Sequence, residues 1–206
     1  AGTTRERMLV MSVHQHDAPV ADLTAERLLR EAGRPGSVCD LEFHETAVRR
    51  VADAVRASLK SPRRFTHVGT GSARVSEVAS NRRIVIDGVA RFSRTSASPK
   101  QEVRDFPEGL IDPVLRTLSF WDGDRPLAAL HFYACHPMSY YGDGRVTSDF
   151  CGLARDKRAA EEKVPQVYFT GCAGNVTAGK YNDGSKENRP VLRDRVAAVS
   201  VGHVDD

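Results

Sequence analysis

No stretch of about 18 apolar residues occurs in this chain, the minimum for a membrane-spanning helix, so no transmembrane segment is expected. The N-terminus does not carry the charged, apolar and cleavage-site succession of a secretory leader. Charge of one sign is never concentrated. The 30 basic and 27 acidic residues are interspersed, the net charge is +3, and a nucleic-acid partner is not expected. The densest run, Arg155 to Lys163, alternates in sign at helical spacing and reads as a solvated helix face. Cysteine is scarce: Cys39, Cys135, Cys151 and Cys172 contain no CxxC pair and are too few for a disulfide framework at this length. The redox compartment therefore stays open. Internal repeats are lacking too.

The remainder is that of a globular protein. Hydrophobic residues make up 40% and charged residues 28%, far from the signature of disorder. The 206 residues suffice for one domain with a sizeable core, and a single domain over 1–206 is the expectation.

Met8 to Val13 is a short apolar run that reads as a buried strand leading into His14-Gln15-His16-Asp17-Ala18-Pro19. Leu23 to Ala32 and Glu45 to Leu59 follow helical spacing, the second with Val48, Val51, Ala52, Val55 and Leu59 on one face. Phe65 to Gly69 and Ile84 to Val89 read as strands, the latter carrying the turn signal Asp87-Gly88. Phe92 to Phe106 is polar and reads as a surface loop. Val114 to Phe120 and Leu127 to Ala134 flank Asp122-Gly123-Asp124, which predicts an antiparallel hairpin over 114–134 ending at Cys135-His136-Pro137. Asp149 to Lys163 reads as a helix and Val164 to Thr170 as the last clear strand, opening into Gly171-Cys172-Ala173-Gly174-Asn175. This alternation defines the α/β class, with mixed β-sheets flanked by helices.

The chemistry gathers at the ends of these apolar runs. Side chains two apart in a strand share a face, so His14 and His16 would point the same way as the backbone leaves the sheet. Imidazole ligates zinc at about 2.0 to 2.1 Å, and a catalytic site needs about three protein ligands with one position open. An isolated HxH is equally compatible with one core histidine and one solvent-facing histidine. His136 also follows an apolar strand, precedes a proline that restricts it, and lies near Thr147-Ser148-Asp149, which offers polar partners. Trp121, Tyr140 and Tyr141 could line an apolar groove, although aromatic residues beside strands usually pack.

His14-Gln15-His16-Asp17-Ala18-Pro19 resembles the HTHSGP motif of the neutral, non-lysosomal ceramidases, and Ala134-Cys135-His136-Pro137-Met138-Ser139 resembles their AVHPTS motif. Between them, Ser80-Asn81-Arg82-Arg83 is similar to INRS and Gly109-Leu110-Ile111-Asp112-Pro113 to GxIDP. Thr147 to Ala154 resembles SGDNKGYA, and Phe169 to Ala178 stands where that family has SSNLGDVSP. The order agrees along most of residues 8 to 182. The resemblance implies zinc-assisted hydrolysis of an N-acyl amide, lipid or small-molecule, by metal-activated water. It implies His14 and His136 as metal ligands, His16 and Arg82 as contacts to the substrate carbonyl or developing oxyanion, and secretion or a periplasmic location.

Two features depart from that pattern. The family's glutamate and tyrosine zinc ligands lie beyond the region that aligns, so the chain is expected to be part of a longer ceramidase-like catalytic domain. Nothing in the spacing of Glu161, Glu162 or Tyr181 supports them as substitutes. In the loop of candidate contacts Gly171, Cys172 and Asn175, Gly171-Cys172 occupies the region of a serine that is a natural nucleophile candidate, and Asn175 replaces an aspartate. Cys172 could serve as a nucleophile only with a lowered pKa, and a small buried thiol is the simpler reading. Two alternatives stay open: a non-catalytic ceramidase-like ligand- or partner-binding domain, and an amidohydrolase-type barrel with His67 as a further ligand. The second needs about 250 residues.

Overall fold

The computed structural model describes residues 4–142 and 144–199, which cluster into two compact units: residues 4–10 with 18–64, and residues 11–17 with 65–199.

In the first unit, two aspartates set where the helices begin. Asp22 accepts the Ala25 N–H at 2.8 Å and opens α1 (Leu23–Glu31), while Asp40 accepts the Phe43 N–H at 2.9 Å and opens α2 (Leu41–Ser58). The cap explains why α2 starts four residues ahead of the periodic apolar pattern. Between the helices, buried Glu26 receives the N–H groups of Gly36, Val38 and Cys39 and the Nε–H of Arg30. The Gly36 N–H, foremost among these, holds its carboxyl below the usual range.

The second unit is built on a four-stranded mixed sheet of order β1-β5-β6-β7: β1 (His67–Arg74), β5 (Val114–Asp122), β6 (Arg125–Tyr133) and β7 (Gln166–Thr170). β1, β5 and β6 are antiparallel, whereas β7 runs parallel to β6 and is reached through the crossover helix α4 (Asp149–Glu162). The hairpin expected over 114–134 is β5–β6, with Gly123 at φ 55° in its turn. Leu115, Tyr133, Cys135, Phe150, Cys151, Ala154 and Tyr168 form the core beneath α4, joined by Leu192 and Val196 of α5 (Asn188–Ala197). Three of the four cysteines are therefore packed inside: Cys39, Cys135 and Cys151 are buried free thiols and Cys172 is exposed.

Short strands complete the unit. β3 (Arg83–Ile86) and β4 (Val89–Ser93) form a hairpin about Asp87-Gly88, both at positive φ, so the turn splits what the sequence presents as one strand. β2 (Ser80–Asn81) pairs with β8 (Val176–Thr177), and the five-residue helix α3 (Gln101–Asp105) interrupts the expected polar loop. The strand expected over Met8–Val13 does not form: these residues are irregular, and Met8, Leu9 and Val10 are 50%, 78% and 86% exposed. An apolar run records a preference for burial, while a strand also needs a neighbouring edge to receive its hydrogen bonds. Among the described residues no helix is long and apolar enough to cross a membrane. The sheet is open and largely antiparallel, unlike the closed parallel barrel required by the amidohydrolase alternative.

Candidate metal centre

Three imidazoles from two distant segments meet at one point. His14, His16 and His136 each offer a ring nitrogen, and the three nitrogens lie within 4.8 Å of one another. The rings contact pairwise, with centroids 5.1 Å apart for His14 and His16, 4.7 Å for His14 and His136, and 5.0 Å for His16 and His136. His14 is exposed, His16 half-buried and His136 buried. The pairing of His14 with His16 does not come from strand alternation. His14 sits at φ 62°, in the left-handed region, and the chain turns there instead of running straight.

Backbone carbonyls orient two of the rings. His136 Nδ1 lies 3.0 Å from the Ala173 carbonyl and His16 Nδ1 lies 3.1 Å from the Pro137 carbonyl. A carbonyl only accepts, so each Nδ1 carries the proton and each Nε2 keeps its lone pair. This carbonyl-fixed tautomer is typical of metal-binding imidazoles. Burial, followed by the neighbouring His14 and His16 and then Arg82, lowers the pKa of His136, which favours the neutral form a metal requires. The residues present fit a divalent ion of the zinc class.

Arg82 stands between β2 and β3, half-buried, near enough for its charge to act on His136. Its backbone is held on both sides: its N–H donates to the Asn175 carbonyl at 2.8 Å, and its carbonyl accepts the Arg94 N–H at 2.7 Å. The Asn175 Nδ2 donates to Asn81 Oδ1 at 2.8 Å, so Asn175 touches the Arg82 segment and not the histidines. Arg94 is itself buried and gives its guanidinium to the carbonyls of Val103, Phe106 and Pro107, fixing the loop behind β2.

Of the loop residues singled out in the sequence, Gly171 hydrogen-bonds the Tyr133 carbonyl and Cys172 is exposed, not the buried thiol expected of it, while the residue whose carbonyl meets His136 is Ala173. The sequence marks Asp17 and Pro137 only as motif neighbours of the histidines and Tyr141 only as a candidate groove residue, without the contacts each makes here. Asp17 accepts the N–H groups of Gly142 and Gly144 at 3.1 and 3.0 Å, and its carbonyl accepts the Thr147 N–H at 3.0 Å. The Tyr141 ring meets His16 edge-on at 5.7 Å, at the exposed mouth of the cluster. Glu161, Glu162 and Tyr181 are engaged elsewhere, with Lys157, Arg158 and Glu108 respectively. His67 stacks on Trp121 at 6.1 Å and does not join the cluster.

No family model and no curated protein matches this sequence. Among solved structures, the neutral ceramidase from Pseudomonas aeruginosa has a similar fold, with a TM-score of 0.57 at 16% identity over 78% of this chain. The match spans 26% of that enzyme, so the chain corresponds to about a quarter of its length. At this level of identity the likeness is one of fold.

Proposed function

We propose that this chain is a ceramidase-like hydrolytic unit that cleaves an N-acyl amide, using a divalent metal, zinc, held by His14 and His136. The observation that carries the reading is the convergence of three imidazoles, each offering a ring nitrogen within 4.8 Å of the others, two of the rings aligned by backbone carbonyls. The fold shared with part of a neutral ceramidase and the order of the sequence motifs support the same reaction class. When bound, such an ion activates water and polarises an amide carbonyl.

The protein's own groups divide the remaining work. His136 is fixed by Ala173 and His14 approaches from the turn at φ 62°. Arg82 supplies a fixed positive charge to the carbonyl oxygen as it gains negative charge, and His16 contacts the same oxygen as a donor once its Nε2 takes up a proton. The substrate is a small-molecule or lipid N-acyl amide, with no nucleic acid involved, and the setting is secreted or periplasmic. In this reading residues 1–206 act as one catalytic domain or part of one.

The test is elemental analysis and amide hydrolysis on the wild type and on His14→Ala with His136→Ala. About one zinc per chain is expected in the wild type and none in the variant, with hydrolysis lost alongside. A wild type devoid of metal after zinc loading overturns the proposal. Zinc binding without turnover of any N-acyl amide selects the non-catalytic binding domain. His16→Ala is expected to keep zinc and lose rate; loss of zinc instead makes His16 a third ligand.

A further inference from the structure

Asp149 opens α4 in a conformation that a non-glycine residue adopts rarely. Its φ is 57°, its exposure is 1%, and its carboxylate is inside the protein. Left-handed backbone is unfavourable for a non-glycine residue, and so is a buried carboxylate unless its oxygens are hydrogen-bonded. The bonds are present. Oδ1 accepts the Ser139 N–H at 3.0 Å, the Ser139 hydroxyl at 2.7 Å and the Phe150 N–H at 2.7 Å, while Oδ2 accepts the Tyr140 N–H at 3.1 Å. The Asp149 N–H in turn donates to Thr147 Oγ1 at 3.1 Å.

Three of those four bonds go to the turn that begins at His136. That turn is tight, with the Met138 N–H donating to the His136 carbonyl at 3.0 Å. On its other side His136 is held by β8, through its N–H to the Val176 carbonyl at 3.0 Å. The same turn contains Pro137, whose carbonyl orients His16. One buried carboxylate thus sets the backbone on which two of the three imidazoles depend, although it touches neither ring.

We propose that Asp149 is the positioning residue of the histidine cluster, fixing His136 directly through the 137–140 turn and His16 through the Pro137 carbonyl. The inference rests on the reading that the cluster binds a metal. Without the carboxylate, the N–H groups of Ser139 and Tyr140 lose their acceptor, the turn relaxes, and the two Nε2 lone pairs no longer converge.

Zinc titration by calorimetry on the full chain tests this with three variants. Asp149→Asn keeps the shape but places an N–H group where an acceptor is required. Asp149→Gly keeps the left-handed backbone and removes every side-chain bond. Ser139→Ala removes one bond of the four and leaves the backbone undisturbed. Both Asp149 variants are expected to bind zinc about 10- to 100-fold more weakly, and Ser139→Ala to fall between them and the wild type. Affinity equal to the wild type in folded Asp149→Asn or Asp149→Gly overturns the proposal.

A second readout needs no metal. In long-range 1H–15N spectra of the metal-free protein, His16 and His136 are expected as Nδ1–H tautomers in the wild type and as tautomer mixtures in the Asp149 variants. Unchanged histidine spectra overturn the positioning role even if the wild type takes up no zinc, whereas that lack of uptake alone refutes the metal reading.

Discussion

At the scale of single residues, the segment that carries Arg82 hangs on Asn81. Its Oδ1 accepts the Arg83 N–H at 3.0 Å and Asn175 Nδ2 at 2.8 Å, and its Nδ2 donates to the Leu110 carbonyl at 2.9 Å. Gly109 lies against it at φ 77°, where an added Cβ would stand 2.9 Å from the Asn81 Cβ. Gly109→Ala therefore meets both an unfavourable φ and a clash, and is expected to cost about 1 to 3 kcal/mol in urea unfolding. On the proposed function, hydrolysis should fall further than stability explains, because displacing Asn81 displaces Arg82. Side-chain chemistry is what a sequence displays: His14, His16 and His136, which the fold brings together, each stand in a legible motif, as does Arg82. The roles of Ala173 and Pro137 are not displayed, since they act through backbone carbonyls that every residue possesses. The geometry behind HxH is not legible, because the left-handed turn at His14 has no glycine or asparagine to announce it.

At the scale of elements, the β5–β6 hairpin and α4 were visible because pattern and turn chemistry agree. The Asp122-Gly123-Asp124 turn separates two apolar runs, and the left-handed Lys163 ends α4 one residue beyond its last helical position. Strands β2 and β8 have two residues each, too short for any periodicity. α5 buries only Leu192, Val196 and Ala197 among charged neighbours, which leaves little amphipathic signal. The start of α2 was set by a cap and not by its apolar stripe. Asp40→Ala is accordingly expected to destabilise the first unit by about 0.5 to 2 kcal/mol. Helical signal at 222 nm followed through thermal unfolding measures it, and Asp40→Asn, which retains the acceptor, should recover most of the loss.

At the scale of the whole molecule, the sheet order explains where the site lies. β6 and β7 run parallel, so the segment carrying His136 and the loop carrying Ala173 and Asn175 leave the sheet side by side at its carboxyl end. The same sheet contains a pH-sensitive contact. His131 on β6 engages Thr117 Oγ1 at 2.8 Å and Gln166 Oε1 at 2.6 Å, and burial lowers its pKa. Because the folded value lies below the unfolded one, its contribution is fully favourable above about pH 6.5 and is lost as pH falls from there toward the folded value. The urea midpoint of the metal-free protein should therefore drop between about pH 8 and about pH 5.5, and His131→Gln should drop less. Glu26 and Asp112, whose carboxyls are also held below their usual values, share that direction of shift and lose their contribution only at lower pH, below the ordinary carboxylate range. The histidine cluster has a further effect, on the polymer. His16 meets the 136–140 turn across 121 positions of sequence, so an ion shared by His14 and His136 is a crosslink closing a very long loop. For a covalent tie of that span, chain entropy alone gives about 4 to 5 kcal/mol. Such an ion would be a structural rivet as well as a reagent, and a chelator would then release the 11–17 segment to proteases before the sheet itself begins to melt.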